Sequence, residues 1–310
     1  MIKMNETRYK NFGKCIELTN GGIRALITVD VGPRIICYGT ADGRNNIMFE
    51  DADRRVKKNC AYLDENFKKG ETWFLYGGHR MWKAPEDEAT YIPDNYPVEY
   101  TADYCADGAE VSFSQPFQKN TGLKFDMKVR MYGNGGLRVR HIMKNLGEKT
   151  VNAAVWGISV LKAGGVGIFP LNTGDAGYLP NNFLSLWSYD RVNDERLSFA
   201  DGYMLLKQNP NAVNPFKIGF LCKRGAAAYA ADDLVFVKKF AYEDGAVYPD
   251  NNCNFESYTS DLIFEAEGLS PLRAVEPRQS AEHIEEFFLF ERALKTDKES
   301  LNGFFSELPK

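Results

Sequence analysis

The chain has 310 residues, with Lys+Arg 38 against Asp+Glu 42, a formal net charge of -4 and 44% hydrophobic residues. That balance excludes intrinsic disorder, and it speaks against a basic nucleic-acid binder, since there is no Lys/Arg run. A chain this long buries about three quarters of its unfolded surface, so it needs no disulfide or metal to hold a core, and no apolar stretch approaches the ~20 residues that span a bilayer.

From the start of the chain, Met1 to Arg8 lacks the apolar core of a signal peptide, which places the protein in the cytoplasm by expectation. The periodicity that follows is mostly two. Residues 23–29 and 34–38 are short and β-branched, and 109–114 is a further strand candidate. Residues 123–131 alternate: Leu123, Phe125, Met127, Val129 and Met131 share one face and charges the other. Residues 137–143 repeat this in part, and Tyr132-Gly133-Asn134-Gly135-Gly136 between them supplies the positive φ of a tight hairpin. Strands are also expected at 150–161, 203–207, 216–222, 226–230, 234–240, 253–258, 262–267 and 281–290. Residues 297–307 read as a helix capped by Asp297. Many short strands with few helices predict an all-β sandwich or barrel, in one domain spanning 1–310. The segment 60–100 breaks the pattern. Rich in aromatics, prolines and charges, it reads as a long ordered loop, where function tends to sit.

Cys15, Cys37, Cys60, Cys105, Cys222 and Cys253 include no Cys-x-x-Cys, and no His-x-x-x-His occurs, so reduced thiols are expected and no structural zinc. Gly-x-Ser-x-Gly and the P-loop pattern are absent, and Gly165-Val166-Gly167 lacks the third glycine of a dinucleotide fingerprint. No cofactor or metal is expected.

The densest chemical cluster is Trp73 to Glu86, followed by Tyr91-Ile92-Pro93-Asp94-Asn95. Flat aromatic faces suit the C–H side of a pyranose, and Arg, Asn and carboxylates hydrogen-bond its hydroxyls. Arg80, Trp82, Glu86 and Asn95 are therefore candidate contacts. The structural alternative is a loop packed on itself, with Arg80 paired to Glu86. Of the three histidines, His141 and His283 fall within strand candidates and read as structural; His79 is the one in the presumed loop and the leading titratable acid. In the second cluster, Tyr248 to Thr259, alternation puts Asn254, Glu256 and Tyr258 on one face. A carboxylate flanked by an amide and a phenol suits a general base; a solvated strand edge is the alternative. Arg34 follows Gly32-Pro33 at a strand start, Trp156 lies in an apolar strand, and the acids of 262–267 read as a solvated face.

Gly77-Gly78-His79-Arg80-Met81-Trp82-Lys83-Ala84-Pro85-Glu86 and Thr90-Tyr91-Ile92-Pro93-Asp94-Asn95 resemble a bacterial family of unassigned function within the galactose-mutarotase-like superfamily. Asn20-Gly21-Gly22, Val31 to Ile36, Asn145 to Trp156 and Asn254 to Thr259 extend the resemblance over roughly 12–290. It implies a β-supersandwich of large antiparallel sheets with a carbohydrate cleft, a small-molecule sugar as partner, and aldose 1-epimerase chemistry without a cofactor. Glu256 matches the late-strand base of mutarotases, and His79 the early-loop histidine or arginine. Arg34, Arg80, Trp82, Glu86, Asn95, Trp156 and Tyr258 then become substrate contacts. One departure stands out. Mutarotases carry their acid histidine mid-chain, whereas Asn145 to Ser159 holds none. His79, Tyr91 or Tyr258 would have to supply the proton. Two alternatives remain open: a non-catalytic sugar-binding or sensor protein, and a lyase or epimerase on an acidic sugar held by Arg34 and Arg80.

Overall fold

The computed structural model describes residues 1–309. Two antiparallel sheets carry the fold. The larger runs, in spatial order, Lys3–Arg8, Lys14–Thr19, Ile23–Thr28, Ile35–Thr40, Gly78–Ala84, Val151–Leu161, Phe264–Leu269, Phe255–Thr259, Phe216–Phe220 and Ser185–Leu186, with Arg273–Val275 also paired to Val151–Leu161. The second runs Leu197–Ala200, Tyr203–Lys207, Val166–Pro170, Ala226–Ala231, Leu234–Phe240, Ser280–Glu291, Leu137–Asn145, Leu123–Tyr132, Gly108–Ser114 and Glu99–Cys105. The all-β expectation holds.

The core lies between the sheets. In Leu123–Tyr132 every second residue is buried, as the alternation requires, and the strand pairs with Leu137–Asn145 through the glycine hairpin, where Gly135 has φ 83°. Lys298–Ser306 is helical, and the Asp297 carboxylate accepts the Ser300 backbone N–H at 3.0 Å. Leu301, Phe304 and Phe305 bury its apolar stripe against the outer face of the second sheet. Among the described residues, no helix is long and apolar enough to cross a membrane.

The main departure from expectation is Gly78–Ala84. It is not part of a loop but a central strand of the larger sheet, paired to Val151–Leu161 in the register Trp156↔Trp82, Ile158↔Arg80 and Ser159↔His79. The preceding Gly77 and Gly78, with φ 90° and 66°, pass so close to Phe49 and Ile35 that a Cβ would come within 2.1 Å and 2.5 Å of their carbonyl oxygens. The glycines therefore admit the chain into the sheet rather than opening it to a ligand.

Candidate functional site

Period-two alternation on five neighbouring strands sets the site. Arg80 and Trp82 lie on one strand, Trp156 and Ile158 on the next, then Glu265 and Glu267, then Glu256 and Tyr258, and finally Lys217. The cross-strand partners Glu256↔Glu267, Tyr258↔Glu265 and Lys217↔Tyr258 put all these side chains on the face turned away from the second sheet. Above them, Tyr91, Trp187, Lys58, Asp250 and the run Glu86-Asp87-Glu88 close a cleft of about 330 Å³.

Two polar groupings form the floor. Lys217 Nζ lies 2.7 Å from Glu256 and 3.2 Å from Glu267, and it stands over the rings of Trp156 and Trp187 at 4.7 and 4.6 Å. The Trp156 indole N–H donates to Glu267 at 3.0 Å. Burial pushes the Glu256 carboxyl well above the carboxylate range; Lys217 opposes this and Glu267 adds to it. Burial alone would lower the Lys217 ammonium, but Glu267 and Glu256 outweigh it and hold it above its ordinary value. The second grouping is Arg80, 3.4 Å from Glu265 and stacked over Trp82 at 4.3 Å. Burial raises Glu265 to about 7, against the pull of Arg80 and with the push of Glu267. The floor thus carries one carboxyl, that of Glu265, that exchanges its proton near neutral pH, beside an aromatic wall in which Trp82 packs against Trp73, Tyr91 and Trp156 at 5.1–5.7 Å.

The sequence-predicted residues divide between this cleft and other places. Glu256, Arg80, Trp82, Trp156 and Tyr258 come together on the cleft face, and Glu86 sits at the mouth, where its carboxylate accepts from the Tyr91 hydroxyl. Arg80 pairs with Glu265, not with Glu86. Asn95 pins the loop instead: it accepts from the Tyr76 hydroxyl at 2.9 Å and donates to Glu71 and the Thr72 carbonyl. Arg34, 1% exposed, is held by Asp94 through Nη2 at 2.8–2.9 Å. Each arginine offered as a carboxylate clamp is therefore already matched by an internal acid. Three residues were missed. Glu265 and Glu267 read from sequence as a solvated face, yet they share the cleft-side face of the sheet with Glu256 and Tyr258, and Glu267 is 1% exposed. The alternation that revealed Glu256 applies equally to them. Lys217 gave no signal, since a lone lysine in an apolar strand shows its role once its neighbours are known.

His79 is corrected. As Gly78–Ala84 is a strand, His79 and Arg80 face opposite ways, and His79 points between the sheets, away from Glu256. It is fully buried in a polar cluster with His141, His283, Ser159, Lys238 and Glu285. The His141 Nδ1–H donates to the His283 carbonyl at 3.0 Å, so His141 Nε2 accepts from His79 Nε2–H at 2.7 Å, and His79 Nδ1 accepts the Ser159 hydroxyl at 2.9 Å. Burial, with Lys238 beside it, drives His79 well below its ordinary value, and burial lowers His141 to about 4, so both rings are neutral. Atoms of His79, His141 and Glu285 lie within 4.8 Å of one another, close enough for a metal ion. The Lys238 ammonium answers that carboxylate instead, 3.1 Å from Glu285 while donating to the carbonyls of Gly157 and Ala266 at 2.8 and 2.9 Å. A divalent ion would place two further charges beside a buried ammonium. The donor set thus favours a closed structural network.

No sequence-family profile matches the chain. No curated protein sequence matches it. Solved structures do. A TPR-domain containing protein from Parabacteroides distasonis superposes with a TM-score of 0.61 at 14% identity, over 91% of this chain and 48% of that one, so the chain spans about half the length of that relative. A galactose mutarotase-like protein from Clostridium acetobutylicum gives 0.57 at 14% identity, over 94% and 99% of the two chains. A galactose 1-epimerase from Lactobacillus acidophilus gives 0.51 at 12% identity, over 94% and 100%. At these identities the likeness is one of fold: the chain has the galactose mutarotase-like sandwich.

Proposed function

We propose that the cleft binds a free sugar and interconverts its anomers by acid/base catalysis, with Glu256 as base. The observation that carries this reading is the row of Glu256, Glu267 and Glu265 on the cleft face, walled by Trp82, Trp156 and Tyr91. Facing away from the cleft, His79 is replaced as the acid by Glu265, whose carboxyl keeps its proton to about pH 7. Glu256 and Glu265 are diagonal neighbours on paired strands, a geometry that sets Cβ atoms roughly 7 Å apart. Ionised Glu256 takes the proton of the anomeric hydroxyl and O1 becomes a carbonyl oxygen. The C1–O5 bond breaks, and O5 takes the proton of Glu265. Rotation about C1–C2 and the reverse transfers close the ring on the other face. Arg80 and Tyr258 donate to hydroxyls, Trp82 and Trp156 cover the apolar ring face, and Glu86 receives a hydroxyl at the mouth. The chemistry draws on no cofactor. The six free cysteines suit a reducing compartment, and the reading places the protein in the cytoplasm.

A binding-only reading is favoured by one observation, the 2.7 Å contact that ties Glu256 to Lys217. Proton NMR exchange between anomers decides. Catalysis predicts added exchange for at least one free aldose, lost by about a hundredfold or more in Glu256→Gln, the range for one acid/base group. Exchange that survives Glu256→Gln unchanged overturns the assignment of the base. Saturation transfer to a sugar without exchange supports the binding-only reading.

A further inference from the structure

We infer that the cleft selects a sugar bearing a free amino group, in its ammonium form, over the same ring carrying a carboxylate or phosphate. This deepens the proposed function and rests on it.

Charge at the mouth carries the argument. Four carboxylates and two lysines line it. Asp87 is answered by Lys83 at 2.5 Å, and Glu86 accepts from Tyr91. Lys58 lies over the Tyr91 ring at 3.3 Å, and Lys217 is spent on Glu256 and Glu267. Glu88 and Asp250 then face the opening with no cationic partner among the described residues. The floor points the same way. Glu267 Oε1 and Glu256 Oε1 are buried, lie on the cleft face and have no hydrogen-bond donor among the described residues. Unpaired buried acceptors are costly, and a ligand rich in N–H and O–H donors relieves them where an anionic ligand adds repulsion. The backbone holds Asp250 in place at a cost: Asp250, Asn251 and Asn252 are successive non-glycine residues at φ 51°, 63° and 77°. Such positions persist where the surroundings enforce them, and here the Asp250 carbonyl accepts from Cys253 and Ser185.

The test is a titration panel followed by saturation-transfer NMR, using glucosamine, N-acetylglucosamine, glucose and glucuronate below the amine's pKa. Glucosamine is expected to bind roughly threefold to tenfold more tightly than N-acetylglucosamine at low salt, the range that two partly exposed charge contacts supply, with the ratio shrinking as salt rises. In Asp250→Asn and in Glu88→Gln that ratio falls toward one. Binding of glucose with no preference for glucosamine overturns the inference and leaves the sugar reading standing. Preference for glucuronate overturns it in favour of the spare Arg80 Nε–H. No binding by any of the four overturns both.

Discussion

Glu265 is the residue on which the proposed chemistry turns, and its pH behaviour has a definite sign. Its carboxyl holds a proton to about pH 7 in the folded protein against about 4.5 when unfolded. The folded state therefore binds the extra proton between these values, and the stability this group confers is lost as pH rises from about 4.5 to 7. In catalysis the same proton is the acid. Exchange should fall above about pH 7 as Glu265 is emptied, a limb that belongs to the coupled carboxyls together. Glu265→Gln is expected to abolish the alkaline limb along with most of the rate. An unchanged alkaline limb would assign the acid elsewhere. Lys238 makes a separate residue-scale prediction. Lys238→Met strips Glu285 of its counter-ion and leaves the Gly157 and Ala266 carbonyls without their donor. Denaturant unfolding should show a loss of about 3–5 kcal/mol; a loss under about 1 kcal/mol would mean that water or a shifted proton compensates.

At the scale of elements, the sequence is legible wherever alternation is clean. Leu123–Tyr132, its hairpin and the Asp297-capped helix lie where the pattern puts them, because one face is apolar and the other polar. Glu256 and Tyr258 share a face for the same reason. Gly78–Ala84 was not legible. It has no β-branched residue, two glycines precede or open it and a proline ends it, so local propensity argues for a loop while pairing on both sides makes it a strand. That single misreading carried His79 into the cleft, since a strand forces neighbours onto opposite faces and a loop does not. Phe264–Leu269 failed differently. Glu265 and Glu267 look like a solvated face until Lys217 and Arg80 arrive from other strands to meet them. Pairing partners far apart in sequence are what local reading lacks.

On the scale of the whole molecule, the two sheets are joined by an apolar core interrupted by a polar cluster beneath the site. The cluster reaches the cleft through the backbone: the Lys238 ammonium, rooted in the second sheet, binds carbonyls of the two strands that carry Trp156, Glu265 and Glu267. The fold is shared with a galactose mutarotase-like protein and a galactose 1-epimerase at 12–14% identity, but fold does not transfer a catalytic set. Here the proposed set is carboxylates and a lysine, with the histidines withdrawn into the interior.

Gly157 and Gly268 give that interior a history. A Cβ at Gly157 would lie 2.7 Å from Glu285 Oε2, and one at Gly268 would lie 2.2 Å from Glu285 Oε1. The carboxylate occupies the room that two missing side chains leave. These positions are therefore bound in order of change. An alanine at 157 collides with the carboxylate while Glu285 stands, and shortening Glu285 leaves Lys238 without its counter-ion. Gly157→Ala alone should cost about 1–3 kcal/mol, and much of that cost should vanish in a background already carrying Lys238→Met and Glu285→Ala. Simple additivity in that cycle would mean that the positions drift independently. Coupling would mean that they could only have been acquired, and can only be lost, as a set.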